Sequence, residues 1–259
     1  MRWRPPSVWP RPWMGPAVWA AVAAFLVWNA VSLQVDPARL ARGLGRFGTI
    51  ALGAFPPDFH RRGLLASGML ESIEIATLST VFGVLLGIPV AVLAARNVVP
   101  LWVYGGGRSA ISLGRTFHEL IVAILFVKAV GFGPLAGILT LTVNSVGFFG
   151  KLLAEQIETI DRGQIEAVRA TGASRGGVLL YGVLPQVLPR VIGLTIYQWD
   201  IHLRQSTIIG IVGAGGIGST LYSAFSRYDY DFALAILILI VAIVLVGEAV
   251  SAVARKWVT

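Results

Sequence analysis

What most constrains this chain is a succession of long apolar runs, at residues 17–35, 69–95, 116–130, 135–149, 187–212 and 232–250. A helix of about 20 apolar residues crosses the roughly 30 Å hydrocarbon layer, where each backbone polar group must find its partner within the helix. Apolar residues make up 56% of the chain and charged residues 13%, against about 25% charge in a soluble domain. The expectation is an all-α integral membrane protein with about six transmembrane helices. The first run follows Arg2, Arg4 and Arg11 as a signal peptide would, but it is too long for a signal core and reads as a spanning helix.

The segments between the runs organise the rest. Residues 36–66 place Arg39, Arg42 and Arg46 at helical spacing, with Leu40, Leu44 and Phe47 on the other side; this is the pattern of an amphipathic helix in the membrane interface. Phe55-Pro56-Pro57-Asp58-Phe59 then turns the chain. Pro89 lies inside the second run, where a membrane helix tolerates it with a kink. Residues 96–115, with Gly105, Gly106 and Gly107, read as a loop, and Gly131-Phe132-Gly133-Pro134 as the link of a transmembrane hairpin. Three regions result: a cytoplasmic tail at 1–16, a first helix with its amphipathic loop at 17–66, and a membrane core at 67–259 that contains a polar loop at 161–186.

Basic residues set the orientation. With both termini in the cytoplasm, Arg2, Arg4, Arg11, Arg96, Arg108, Arg115, Lys151, Arg162, Arg169, Arg175, Arg190, Arg255 and Lys256 fall inside, and Arg39, Arg42, Arg46, Arg61, Arg62 and Arg227 outside. The inner excess follows the positive-inside rule. The net charge of +8 is thereby explained by topology, since the arginines form no patch with interleaved aromatics of the kind that binds nucleic acid. Cysteine is absent, which excludes disulfides and thiolate metal sites.

The polar loop, QIEAVRATGASRGGVLLYGVLPQ at 164–186, faces the cytoplasm in this topology. Asp161, three positions before Gln164, is an acidic analogue of a capping box and starts a short helix that Gly172 ends. Ser174 caps a second short helix, and Pro185 opens the next spanning helix. Two short helices around a glycine turn make a knob suited to docking, because it holds no catalytic set.

Glu166, Ala167, Gly172, Leu184 and Pro185 stand at the spacing of the coupling loop of binding-protein-dependent ABC importer permeases: Glu-Ala-Ala, three residues, Gly, nine residues, Ile, one residue, Leu-Pro. The loop resembles that motif, with Val168 in place of the second alanine and Gly182 at the isoleucine position. FPPDF at 55–59, Ala95-Arg96-Asn97, GFGPLAG at 131–137 and RQSTIIGIVGAGGIG at 204–218 are similar to the phosphonate permeases of this family. Asp200 and His202 stand where that group more often has Glu and Asn. The resemblance implies a type I ABC importer permease fold, multi-pass in the inner membrane, with the loop seated in a groove of a separate ATPase subunit. It also implies the partners: a second copy of the chain, two ATP-binding cassette subunits, an extracytoplasmic phosphonate-binding protein and the lipid bilayer. It implies further that this chain binds no cofactor of its own, ATP and Mg belonging to the ATPase. The cargo implied is a phosphonate or a related oxyanion such as phosphite or phosphate. A methionine-type permease, which shares a Gly-rich segment, is the alternative. A stand-alone secondary transporter is another, and it would require internal repeats and an ion-binding carboxylate at mid-membrane.

A P-loop ends in Gly-Lys followed by Ser or Thr, whereas Gly150-Lys151 is followed by Leu152, so the chain is not read as an ATPase. Gly213-Ala214-Gly215-Gly216-Ile217-Gly218 matches G-x-G-x-x-G in letters, but it extends a spanning run and lacks the preceding strand of a dinucleotide site. Gly213, Gly215, Gly216 and Gly218 read as gating glycines beside a pathway. Asp200 and Arg204 are spaced to pair on one helix face. Arg204, with His202, Asp200 and Lys128, is the candidate lining of an anion route, since charge inside a membrane is expensive and rarely idle. Glu119 is expected to pair with Arg115, His118 to pack at the interface, and Asn144 to bridge helices. His60, His118 and His202 have no metal-ligand spacing.

Overall fold

The structure, a computed structural model, describes residues 13–34 and 36–256; Arg2, Arg4 and Arg11 of the expected cytoplasmic tail lie outside them. The chain divides into two compact units, Met1–Leu52 and Gly53–Thr259. The first holds α1 (Met14–Ser32) and α2 (Pro37–Gly53), which has the expected amphipathic sequence. The second holds α3 (Arg62–Leu93), α4 (Leu101–Thr116), α5 (Glu119–Val130), α6 (Pro134–Glu158), α7 (Arg162–Ala170), α8 (Arg175–Val178), a π turn (Leu179–Val183), α9 (Leu184–Gly210), α10 (Ile217–Ser226) and α11 (Tyr230–Lys256). Five helical segments are long and apolar enough to cross a membrane, and six spans result if α4 and α5 count as one broken span.

The stretch expected as a loop at 96–115 is largely helical, and the segment between the last two apolar runs is helical in part. Residues 101–116 form α4 because Gly107 is packed, not looped: a Cβ there would lie 2.6 Å from the Leu93 carbonyl, so the glycine lets α4 close onto the end of α3. The polar stretch at 223–231 is partly taken up by α10. Between α4 and α5 the chain bends by 87° through Phe117 and His118, both extended. The bend separates Arg115 from Glu119, so the helical spacing that would pair them does not exist. Glu119 instead accepts from Asn144 Nδ2 at 3.3 Å, and His118 is the N-cap of α5, its Nδ1 accepting from the Leu120 N–H at 3.3 Å. The link to α6 turns through Gly131 (φ 93°) and Gly133 (φ 129°), conformations that suit glycine.

The second unit is built around α3 and α6. Gly83 and Gly87 on α3, four residues apart, receive Ser145 and Phe149 of α6 where a Cβ would collide, the close approach that small residues permit between membrane helices. Three buried clusters run along the bundle: Leu65, Ile217, Leu221 and Phe232 at one end, Ile75, Val127, Leu141 and Ile209 in the middle, and Ala94, Ile111, Phe149, Leu153 and Ile157 at the other. At the first end Arg61 bonds Asp229 at 2.6 Å. Asp58 beside it is held below its ordinary carboxyl value, chiefly by the His60 backbone N–H at 2.8 Å. The other end carries the polar loop.

Candidate functional site

The loop folds as its local residues dictate. The Asp161 side chain accepts from the Gly163 N–H at 2.8 Å and starts α7. Gly172, at φ 78°, ends it, and Ser174 Oγ accepts from the Gly177 N–H at 3.3 Å at the start of α8. Glu166, Ala167, Gly172, Leu184 and Pro185 are all exposed, so the motif residues face outward and do not hold the loop together.

What does hold it is Gln186. Its Oε1 accepts from the Asp161 N–H at 2.8 Å, and its Nε2 donates to the carbonyls of Gly182 at 2.7 Å and Asp161 at 3.3 Å. The amide therefore ties the start of α7 to the start of α9, and the reciprocal half of the expected capping box comes from Gln186, not Gln164. Replacing it by alanine removes all three bonds, each worth about 0.5–1.5 kcal/mol. Gln186→Ala is expected to raise hydrogen exchange in α7 while leaving that in α3 and α6 unchanged.

A second anchor lies beside the loop. Glu158 Oε1, at the end of α6, accepts from the Arg96 backbone N–H at 2.8 Å and from Arg108 Nη2 at 3.1 Å. Asn97 Nδ2 donates to the Ile157 carbonyl at 2.7 Å. The Ala95-Arg96-Asn97 motif thus caps α6 and fastens the turn before α4 to it. Between this turn and α7 lies a groove of about 450 Å³, lined by Asn97, Val98, Arg162, Ile165, Glu166 and Arg169.

The candidate pathway residues do not converge within one chain. Arg204 Nη2 bonds Asp200 Oδ2 at 2.6 Å, with the aspartate nearly buried and the arginine side chain 45% exposed. His202 turns the opposite way on α9 and is fully buried. Thr80 Oγ1 donates to the Ala76 carbonyl, so it accepts from His202 Nδ1 at 2.9 Å, and His202 Nε2 accepts from Gln198 Nε2 at 2.9 Å. That network makes His202 a buried link between α3 and α9. Lys128 is exposed on α5. Gly213, Gly215 and Gly216 have φ of 90°, 85° and 75°, and the segment is pinned by Gly133 N–H to the Gly213 carbonyl at 3.0 Å and by Ile217 N–H to Ser72 Oγ at 2.9 Å.

Long apolar helices, a glycine-pinned junction between α9 and α10 and an outward-facing loop of two short helices define a polytopic membrane protein that presents one polar loop for contact. The profile of the family described as binding-protein-dependent transport system inner membrane component matches residues 87–259. The phosphite transport system permease protein PtxC of Stutzerimonas stutzeri is 41% identical over 223 residues, covering 86% of this chain and 81% of that protein. The phosphate-import permease protein PhnE of Mycolicibacterium smegmatis is 38% identical over 218 residues, covering 83% of this chain and 40% of that one. In shape the chain is similar to a chain of the inward-facing MetNI methionine ABC transporter, with a TM-score of 0.68 at 24% identity over 78% of this chain and 99% of that one. This chain belongs to the family of binding-protein-dependent transport system inner membrane components. Its fold is the type I ABC importer permease fold that the resemblance implied.

Proposed function

We propose that this chain carries a phosphorus oxyanion, phosphonate or phosphite foremost and phosphate as a close relative, across the inner membrane. The cargo arrives on an extracytoplasmic binding protein, and the work is supplied by two ATPase subunits. Both termini and the 161–186 loop lie in the cytoplasm, as the basic residues favour, and two copies of the chain enclose the pathway. The observation that carries this reading is the loop itself: Glu166, Ala167, Gly172, Leu184 and Pro185 exposed together at the family spacing. The cargo class is supported by the relatives, which are a phosphite and a phosphate permease by name.

The mechanism follows from how the loop is tied in. ATP binding closes the ATPase pair and displaces α7. Gln186 passes that displacement to the start of α9, and α9 carries it about 30 Å along its axis to Arg204. The exposed guanidinium lowers the barrier for an anion, and because Asp200 already shares its charge, it binds weakly enough to release. The glycine-pinned junction at 213–218 sits just beyond, as the bend against which α9 moves.

The deciding experiment is the ATPase rate of the reconstituted complex with its binding protein, loaded in turn with alkylphosphonate, phosphite, phosphate and methionine. Stimulation is expected from the phosphorus oxyanions. Stimulation by methionine alone would overturn the cargo assignment.

A further inference from the structure

We propose that α2 is a surface helix that binds the phosphate headgroups of anionic phospholipid through Arg39, Arg42 and Arg46. No residue of α2 is buried. Leu40, Leu44 and Phe47 on one side are 64%, 66% and 69% exposed, while the three arginines, three and four residues apart, share the opposite side. Such a helix is incompletely solvated in water alone, because its apolar side needs cover that a soluble partner for the arginines would not provide.

The chain brings α2 to the one place where both sides are satisfied. The 19 residues of α1 extend about 28 Å, the thickness of the hydrocarbon layer. Only residues 33–36 separate its end from Pro37, so α2 starts at the bilayer boundary. Three arginines on 17 residues bar α2 from crossing in its turn, and it must run along the surface. There the apolar side enters the acyl boundary and the arginines lie at headgroup level. Arg42 is partly engaged, at 3.4 Å from Asp36; Arg39 and Arg46 have no carboxylate within 4.0 Å among the described residues. Guanidinium groups suit phosphate oxygens. The transported oxyanion has the same phosphorus-oxygen chemistry, but it supplies no cover for Leu40, Leu44 and Phe47, which is why the lipid is the occupant. Either leaflet satisfies both sides of α2, whatever the cargo. This placement also accounts for the arginines that run against the positive-inside count.

The absence of cysteine makes the test direct. Leu44→Cys in the full chain is labelled with an environment-sensitive fluorophore and placed in nanodiscs that contain brominated phosphatidylglycerol or brominated phosphatidylcholine as quencher. Both lipids are expected to quench, with the anionic lipid enriched at least fivefold around the helix, since each surface arginine contributes roughly fivefold. The triple variant Arg39→Gln, Arg42→Gln, Arg46→Gln should bring the two lipids to parity, and the corresponding triple lysine variant should keep most of the preference. If the glutamine variant does not fold, 0.5 M salt on the unmodified arginines replaces it and should erase most of the enrichment. Failure of either lipid to quench, or equal enrichment of both with the arginines in place, overturns the proposal. Loss of the enrichment in millimolar inorganic phosphate, but not in matched chloride, overturns it in favour of a soluble oxyanion site.

Discussion

Glu166→Arg is expected to leave the chain folded and inserted but to reduce ATP-driven uptake at least thirtyfold, with loss of the ATPase subunit on co-purification. Glu166 is exposed on α7, four residues after Arg162 and three before Arg169, so it contributes almost nothing to the bundle. Within the helix the reversal adds like-charge contacts worth about 0.2–0.5 kcal/mol each, too little to unfold three buried clusters. At a docked interface the same reversal leaves a charge facing the wrong partner, which costs about 2–5 kcal/mol, or roughly thirtyfold to several thousandfold in affinity. Gly172→Arg reaches the same end by a different route. Gly172 holds φ 78°, where any other residue is strained by about 1–2 kcal/mol, and the turn that positions α7 shifts. Thermal unfolding of the permease, co-purification and proteoliposome uptake separate the cases. Normal uptake in Glu166→Arg, with intact expression, would remove the docking role from this loop.

How far the sequence alone reaches depends on the range of the interaction that decides each element. The caps at Asp161, Gly172 and Ser174 are legible because each acts on residues two or three positions away. The spanning helices are legible because bilayer thickness imposes a length on every apolar run. Gln186 was not, since nothing local connects it to Asp161, 25 residues earlier; only the packing of α7 against the head of α9 brings the amide within reach. Gly105, Gly106 and Gly107 mislead for a related reason. Three glycines in a row read as loop, yet Gly107 serves the approach of α4 to Leu93, a requirement set by another helix. The Arg115 and Glu119 pair fails because helical spacing assumes one helix, and the chain bends by 87° between them. His202 shows the same limit at the site: a polar side chain inside a spanning run suggests a place on the route, while its partners Thr80 and Gln198 make it part of the α3 and α9 seam.

Gly218→Ala should be among the most damaging small substitutions at the described glycines, with a lower yield of monodisperse protein in detergent and a lower unfolding temperature. A Cβ at Gly218 would overlap the Thr207 carbonyl oxygen and lie 2.9 Å from its carbon and 3.0 Å from Gly210 Cα. All of these are backbone atoms, so no side chain can turn away to relieve the contact. Gly210 is the other half of the crossing, with a Cβ there 2.8 Å from Gly218 Cα; α9 and α10 touch backbone to backbone. Relief requires α10 to move as a body, yet its Ile217, Leu221 and Ala224 are packed with Leu65 and Phe232, and the Ile217 N–H is held by Ser72. Overpacking a filled core costs about 1–3 kcal/mol and sometimes more; with a rigid backbone on both sides the upper part of that range applies. The same change at Gly105, which has nothing within 4 Å of its Cβ position, should stabilise α4 by about 0.5–1 kcal/mol by removing a helix glycine. Thermal unfolding of both variants in one detergent makes the comparison internal. An unfolding temperature for Gly218→Ala equal to that of Gly105→Ala would mean that α9 and α10 do not cross at these two glycines, and the pinned junction beyond Arg204 would go with them.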